Sequence, residues 1–487
     1  MPSRKKAPRA NNNIEPLFQP RSIAIVGASS NRRSQGFDFV DGLVQFGFPG
    51  AIYPVNPRLD ELLGLKVYPR LEDIPGPVDF VISAVPAGAV FEVVEGAKKK
   101  GVKLIHFFTA RFSETGRADD AEAERELRRV TQEAGIRVIG PNCMGVYYPK
   151  RRITFDPWAM EGPGNIGFLS QSGSHAFRVI GRGKKRGLRF SKVISYGNAL
   201  DLNEVDFLHH FADDPDTDII AAYIEGLRDG RRFFQALAYA AGRKPVLVLK
   251  GGRTAAGHAA ASSHTAALAS QRSVWQVAIR QAGALEVGSL SELIDMLVTY
   301  RNAGPVRGNR MAVLGGAGGG TVECADLCNE AGLELPPMPQ SVREALREDI
   351  PHAWDWLGNP VDMSIIGPGG GGKETRIMEL MAAAPAYDGI ILNLPIERIL
   401  NRLGGDQLPQ EALDRLKRLG TDNNKPLLVS VEEPESRDKG RVQAVLDARN
   451  AIGEAGIAVF TDIERAILAM SRYIQYEARR KALKAGV

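Results

Sequence analysis

A lone histidine, His264, sits in a run of small residues (259–270) after Lys250-Gly251-Gly252-Arg253, which closes the apolar run 245–249. The Ala-rich stretch beyond it, to about Ala282, has good helix propensity. His264 therefore falls at a helix start that Ser263 or Thr265 can cap. A helix start leaves N–H groups unpaired and carries the positive end of the dipole, which favours an anion. A neutral imidazole beside such a site can accept a phosphoryl group. A capping histidine without chemistry uses the same residues, and spacing alone does not separate the two. Two further stretches carry groups suited to the same chemistry. Ser170-Gln171-Ser172-Gly173 lies between an apolar strand, 166–169, and a helix, 174–185. That layout cradles phosphate with hydroxyls and free N–H groups. Glu225-Gly226 follow the strand 219–224 at its carboxyl end, where open sheets bind ligands. Glu225 there can hydrogen-bond an imidazole N–H and stabilise its charged form, or be a plain loop carboxylate.

The first 150 residues suggest a nucleotide. Strands are expected at 21–26, 51–55, 78–85, 104–108 and 137–139, with helices at 36–46 and 89–100. Such alternation implies a parallel sheet with right-handed crossovers. The turn Gly27-Ala28-Ser29-Ser30 lacks the second and third glycines of G-x-G-x-x-G, and the second strand ends at Asn56-Pro57-Arg58 with no acid for a ribose 2′-OH. Arg58 suits a phosphorylated ribose, as in NADP or coenzyme A, better than NAD; a solvated loop arginine is the alternative. The βαβ start taken by itself would suggest an NADP-dependent reductase. Gly140-Pro141-Asn142-Cys143-Met144-Gly145 makes a rigid loop at the last strand's end. Nothing basic adjoins Cys143, so it is read as packing or touching a ligand.

A chain of 487 residues is too long for one core, and three domains are expected. With 44% hydrophobic and 24% charged residues it reads as an ordinary globular protein. A net charge of +5 suits small anionic ligands and does not argue for nucleic acid. Arg4, Lys5, Lys6 and Arg9 precede Asn11-Asn12-Asn13, so residues 1–14 read as a disordered tail rather than a secretory signal. Three cysteines argue against a disulfide framework and for a cytoplasmic protein. Cys324 and Cys328 share a helix face, but two ligands are too few for a metal, and buried small hydrophobes are expected instead. No metal site and no membrane span are expected; the most apolar stretch, 78–94, is broken by Pro86.

Domains are placed at 15–150, 160–304 and 305–487. The third opens on the strand 311–314, then Gly315-Gly316-Ala317-Gly318-Gly319-Gly320 and a helix at 321–332. That loop lacks the Lys-Ser/Thr pair of a P-loop. Strands at 389–394, 426–431 and 458–460 and a basic amphipathic helix at 463–484 follow. The fold expected is α/β, an N-terminal Rossmann-like domain followed by two flavodoxin-like parallel-sheet domains.

In order along the chain stand Gly27-Ala28-Ser29, Val55-Asn56-Pro57, Val85-Pro86-Ala87, Gly140-Pro141-Asn142-Cys143, Ser170-Gln171-Ser172-Gly173, Ser195-Tyr196-Gly197-Asn198, Tyr223-Ile224-Glu225-Gly226, Ser263-His264-Thr265 and Asn359-Pro360-Val361-Asp362. Together they resemble the α subunits of ADP-forming (NDP-forming) acyl-CoA synthetases, relatives of succinyl-CoA synthetase, over nearly the whole chain. The resemblance implies that coenzyme A, as substrate, meets Gly27, Ala28, Ser29, Ser30, Asn56, Pro57, Arg58, Val85, Pro86, Ala87, Pro141, Asn142 and Cys143. It implies that Ser170, Gln171, Ser172, Gly173 and Thr265 hold phosphate, while His264, oriented by Glu225, carries the phosphoryl group. Acyl-CoA and phosphate would give acyl phosphate and CoA, and the phosphoryl group would pass through His264 to ADP. That last step implies an ATP-grasp domain with its ATP/ADP and Mg2+. No pattern for one is found here, so a separate β subunit, in a homo- or hetero-oligomer, is expected. The chain departs from the family at Ala266 and Ser270, where loop glycines are usual. It departs also at the bulky His175 and Phe177 after the serine loop, at Arg111, and at Glu323 after the glycine run. These changes bear on loop motion and the acyl substrate. A non-catalytic CoA- or acyl-CoA-binding regulatory protein is the alternative.

Overall fold

A computed structural model describes residues 14–254, 256–257, 272–366 and 371–485. His264 and Thr265 lie outside the described residues. The chain divides into two units, one of Met1–Arg182 with Arg189–Leu293, the other of Gly183–Leu188 with Ile294–Val487.

The first unit holds two doubly wound sheets. Strands β1 (Ser22–Val26), β2 (Ala51–Val55), β5 (Phe80–Ser83), β6 (Leu104–Phe107) and β7 (Arg137–Ile139) are parallel, in the order β2-β1-β5-β6-β7. The short strands β3 (Glu61–Leu62) and β4 (Leu65–Lys66) pair as a separate antiparallel ladder. These runs form parallel strands because they are apolar on both faces: Ile23, Ala24, Ile25, Val81, Leu104, Ile105 and Val138 are all fully buried. The second sheet runs β13-β12-β11-β9-β10-β8, from β8 (Gly145–Tyr147), β9 (Ile166–Ser170), β10 (Phe190–Ser195), β11 (Ile219–Ile224), β12 (Val246–Lys250) and β13 (Leu285–Val287). All neighbours are parallel except β8, which lies antiparallel on β10. In both sheets the strand order reverses once, between β1 and β5 and between β9 and β11. Crevices for ligands open at such reversals, beyond the strands' carboxyl ends. The segments that sequence marked for chemistry follow these strands: 27–30 after β1, 85–87 after β5, 170–173 after β9 and 225–226 after β11.

Segment 198–202 joins the two sheets. The Asp201 carboxylate accepts Arg137 Nε at 2.7 Å and Nη2 at 3.1 Å, and also Val138 N–H at 3.0 Å. Leu200 is buried in the core beneath the first sheet with Val138, Ile105 and Phe112. Both sheets are thus locked in one body by a bidentate ion pair and shared apolar packing.

Two buried histidines make this unit sensitive to acid. His106, 1% exposed, gives its Nε2–H to Cys143 O at 3.0 Å, and burial holds its pKa down to about 4 despite that hydrogen bond. His210 is stacked on Phe18 at 3.9 Å, and burial and then the Lys192 charge bring it to about 4 as well. A depressed histidine pKa means that the unfolded chain binds the proton first, so stability is full above about 6.5, the unfolded value, and is lost as pH falls toward 4. Each contributes at most on the order of 3 kcal/mol of that loss. The unfolding free energy, measured in urea from pH 7 to 4.5, is expected to fall by several kcal/mol, and the slope to flatten in a His106→Asn/His210→Asn variant; an unchanged slope would contradict the assignment.

In the second unit β14 (Met311–Leu314), β15 (Gly389–Asn393), β16 (Leu427–Ser430) and β17 (Ala458–Phe460) are parallel in that order. Glu334 and Val361 add isolated parallel bridges to the β14 segment. The helix Ile463–Ala485 packs on this sheet, and Arg186 and Arg465 both ion-pair the buried Asp295. Cys324 and Cys328 are buried on the helix Gly319–Glu330, and burial raises both thiols, Cys328 to about 12. They serve as small core hydrophobes, as their spacing led us to expect. Among the described residues no helix is long and apolar enough to cross a membrane.

Candidate active site

The geometry converges on the loops after β9 and β11. The helix Gly173–Lys184 starts immediately beyond β9. Ser172 caps it: its carbonyl takes the Ala176 N–H at 3.1 Å and its hydroxyl lies 3.4 Å from His175 N. Ser170, fully buried, closes the turn before it, donating to Ser172 O at 2.7 Å and accepting Ser172 N–H at 3.2 Å. Gly173 has no Cβ because one would stand 2.8 Å from Met144 Cγ, which brings the 140–145 loop against the serine turn.

Gln171 does something that its spacing did not announce. It is one of the residues expected to hold phosphate, and its amide is bonded within the protein. Its backbone N–H is taken by Tyr223 O at 3.1 Å. Its Oε1 accepts the N–H groups of Glu225 and, at 2.9 Å, Gly226, and its Nε2 donates to Gly226 O at 2.9 Å. Held at both ends of its amide, Gln171 clamps the Glu225 turn to the serine loop. The first free N–H groups of the helix that Ser172 caps are placed to hold an anion.

Glu225 is half-buried and lies beside the Tyr223 hydroxyl. Burial, and then the Glu225 charge, hold the Tyr223 phenol above its ordinary value. Lys250, at the end of β12, donates to Glu225 O at 2.6 Å and to Gly251 O. Burial lowers its ammonium pKa, against the pull of Glu225 and Glu286. Gly251 must lack a side chain, since a Cβ would fall 2.6 Å from the Tyr223 hydroxyl and 3.1 Å from Glu225 Cγ. Tyr196, fully buried, is held well above its usual value by burial and by the Glu204 and Glu225 carboxylates. Glu204 is itself buried, and burial pushes it up to about 7. Sequence reasoning missed Gln171 as a clamp, Lys250 as a brace and Glu204 altogether. The only signal available was their position at strand or helix ends.

The coenzyme loops are built from the same kind of parts. Gly27 has φ +90° and a Cβ there would meet Ala84 O at 2.8 Å, so the turns after β1 and β5 touch backbone to backbone. Asn56 ties the turns after β1 and β2: its Nδ2 donates to Ala28 O at 2.7 Å and its Oδ1 accepts Arg58 N–H at 2.8 Å. Ser29 Oγ accepts Asn31 N–H at 3.1 Å. Ala28 is buried, whereas Ser30, Pro57 and Pro86 are exposed and Val85 and Ala87 half-buried. Arg58 is exposed, and so are Arg32 and Arg33 just before Ser34, which caps the helix Gln35–Phe46. The Arg-Arg pair was overlooked in sequence because it lies between two recognised features. Exposed guanidinium groups just before a helix start and after β2 suit a ligand with several phosphates.

Pro141, Asn142 and Cys143 lie on the junction between the sheets. Thr109 O accepts Asn142 N–H at 2.9 Å, and Asn142 Nδ2 lies 3.3 Å from Asn198 Oδ1. Asn198 in turn donates to Glu114 at 2.6 Å and Glu124 at 2.8 Å, while Arg228, three residues beyond Glu225, donates to Asn198 O at 3.0 Å. A Cβ on Gly197 would stand 2.2 Å from Pro141 O, so this loop and the coenzyme loop are in direct contact. Cys143 is 4% exposed and burial raises its thiol far above the ordinary range, so it packs and is no nucleophile at neutral pH.

Residues 21–149 match the family model for a CoA binding domain, and 163–300 that for a succinyl-CoA ligase like flavodoxin domain. The ADP-forming acetate–CoA ligase I of Archaeoglobus fulgidus is 34% identical over 96% of this chain, which spans 65% of that protein's length. The subunit alpha of ADP-forming acetate–CoA ligase I from Pyrococcus furiosus is 30% identical, with 96% of this chain and 99% of the subunit aligned. The structure of a dinucleotide forming acetyl-coenzyme A synthetase 1 from Ca. Korarchaeum cryptofilum, in complex with phosphate and ADP, superposes with a TM-score of 0.81 at 30% identity, covering 98% of this chain and 99% of that one. With the CoA-binding and ligase-type flavodoxin domains in sequence, and a relative that it spans from end to end, this chain belongs to the family of ADP-forming acyl-CoA ligases.

Proposed function

We propose that this chain is the α-type component of an ADP-forming acyl-CoA ligase, interconverting acyl-CoA, phosphate and ADP with acid, CoA and ATP through a phosphohistidine at His264. Phosphate oxygen attacks the thioester carbonyl and the CoA thiolate leaves. An imidazole nitrogen of His264 then attacks phosphorus and the carboxylate leaves. The N–P bond breaks last, as a terminal ADP oxygen takes the phosphoryl group. That last step falls to a separate ATP-grasp subunit, which would bring the nucleotide and Mg2+. In this reading CoA spreads over the loops at Gly27, Asn56 and Val85 with Arg32, Arg33 and Arg58 at its phosphates, and its thiol end comes to Pro141-Asn142. Thr265 and the free N–H groups of the helix start capped by Ser172 take phosphoryl oxygens, and Glu225 steadies the imidazole. The observation that carries the reading is the Gln171 clamp, which holds a capped helix start and a carboxylate together at the strand-order reversal beside the coenzyme loop.

The test is to supply the chain and an ATP-grasp partner with [γ-32P]ATP, magnesium, CoA and a panel of carboxylic acids. Alkali-stable label on His264 and a CoA thioester are expected. CoA binding by calorimetry without label or thioester would sink the ligase and leave a CoA- or acyl-CoA-binding regulatory protein.

A further inference from the structure

The imidazole of His175 lies in the candidate site and has no part in the chemistry described so far. It is the third residue of the helix Gly173–Lys184. Its ring lies flat on Tyr223, with centroids 4.0 Å apart and planes 9° apart, and the Tyr223 hydroxyl is the one beside Glu225. One ring edge is also held, since Nδ1 is 3.2 Å from the hydroxyl of the capping Ser172. Ser172 Oγ lies 3.0 Å from Ser174 Oγ. A stacked face and one bonded edge leave the ring a single orientation. No described residue takes its Nε2.

One set of donors and acceptors along Ser174, Ser172 and His175 leaves the outer ring nitrogen protonated. Burial, together with Arg178 and Arg182 further along the helix, holds the His175 pKa below its ordinary value, so the ring is neutral and carries one proton. A hydroxyl has one proton to give and two lone pairs. The chain closes if Ser174 donates to Ser172 and Ser172 donates to Nδ1, which puts the imidazole proton on Nε2. That N–H is then a pre-oriented donor beside the free N–H groups of the helix start. Arg178, exposed one turn on, has no acidic partner among the described residues, so the surroundings favour an anion.

We propose that His175 is a phosphoryl-positioning residue: its Nε2–H donates to an oxygen of the phosphoryl group held at the Ser172 helix start, and its stack on Tyr223 keeps that donor aligned with Glu225. This rests on the function proposed above. The two ring nitrogens can be tested separately, because an asparagine amide reaches the place of Nδ1 and a glutamine amide that of Nε2.

The experiment uses the full chain with its ATP-grasp partner, varying inorganic phosphate at saturating ADP and an acyl-CoA that supports turnover. His175→Asn and His175→Ala are expected to raise the phosphate KM by about tenfold, the effect of losing one hydrogen bond to a charged group. His175→Gln is expected to stay within about threefold of the native value, with kcat changing less than KM in each. Thermal unfolding and CoA affinity check that each variant is folded. A folded His175→Asn variant with the native phosphate KM overturns the proposal and leaves the phosphohistidine reading intact. Equal losses in the Gln and Asn variants overturn it too, since they would report packing on Tyr223 alone. If the native chain takes up no phosphoryl group, the function fails and this role with it.

Discussion

Glutamine in place of Glu225 is expected to slow phosphoryl uptake by about 100-fold or more, and alanine in place of His264 to abolish it; removing an orienting carboxylate or a general acid–base group usually costs factors of this size. The two variants differ in kind. His264→Ala removes the atom to which phosphorus bonds, so no label can form. Glu225→Gln keeps volume and hydrogen-bonding capacity and removes the charge that would favour a cationic imidazole during transfer. Its fold should survive, because the Gln171 clamp grips the backbone of residues 225 and 226 and not the carboxylate. The Tyr223 hydroxyl can donate to an amide oxygen as well as to a carboxylate. CoA affinity should be unchanged in both, since neither residue belongs to the coenzyme loops. Quench-flow labelling of the two variants and the native chain, each with its ATP-grasp partner, is the measurement. Native rates in the Gln variant would show that Glu225 is a loop carboxylate and nothing more.

The largest effect on stability is expected from Lys192→Met. Lys192, 2% exposed, lies on β10 with its ammonium 2.6 Å from Asp214, a buried carboxylate, and over the rings of Tyr148 at 4.6 Å and Phe18 at 5.5 Å. Asp214 also accepts the Thr217 hydroxyl at 2.6 Å. Burial alone would raise its carboxyl, but the bonds from Lys192 and Thr217 and the Lys192 and His210 charges outweigh that, and it sits below the ordinary carboxylate range. Methionine fills the lysine's volume and strands the carboxylate, which typically costs about 3–5 kcal/mol. The double variant Lys192→Met/Asp214→Leu removes both charges and should recover most of the loss, because a buried pair often contributes little over well-packed apolar groups. Urea unfolding of the single and double variants decides this; a single variant within about 1 kcal/mol of native would mean that solvent reaches Asp214 after all.

The chain order of apolar runs was enough to place β2, β7, β11, β14 and β17 at their observed ends, because each is a short, mostly apolar run bounded by turn residues. It also placed the glycine and serine turns after β1 and β9, since backbone that must pass close to another chain segment needs residues without bulk. Other elements stayed out of reach. Strand β8 is three residues long and pairs antiparallel with a strand more than forty residues away, so its own sequence carries no strand signal. The clamp by Gln171, the brace by Lys250 and the buried Glu204 depend on which strands become neighbours, and that is decided by the strand order β12-β11-β9-β10, not by local pattern. The same holds for His175: as sequence it was only a bulky residue after a serine turn, and the Tyr223 ring brought over it by the β9–β11 pairing is what gives it a fixed edge to offer. Periodicity is a property of a segment and survives in the sequence; a site made from the ends of separate strands exists only once the sheet has closed around it.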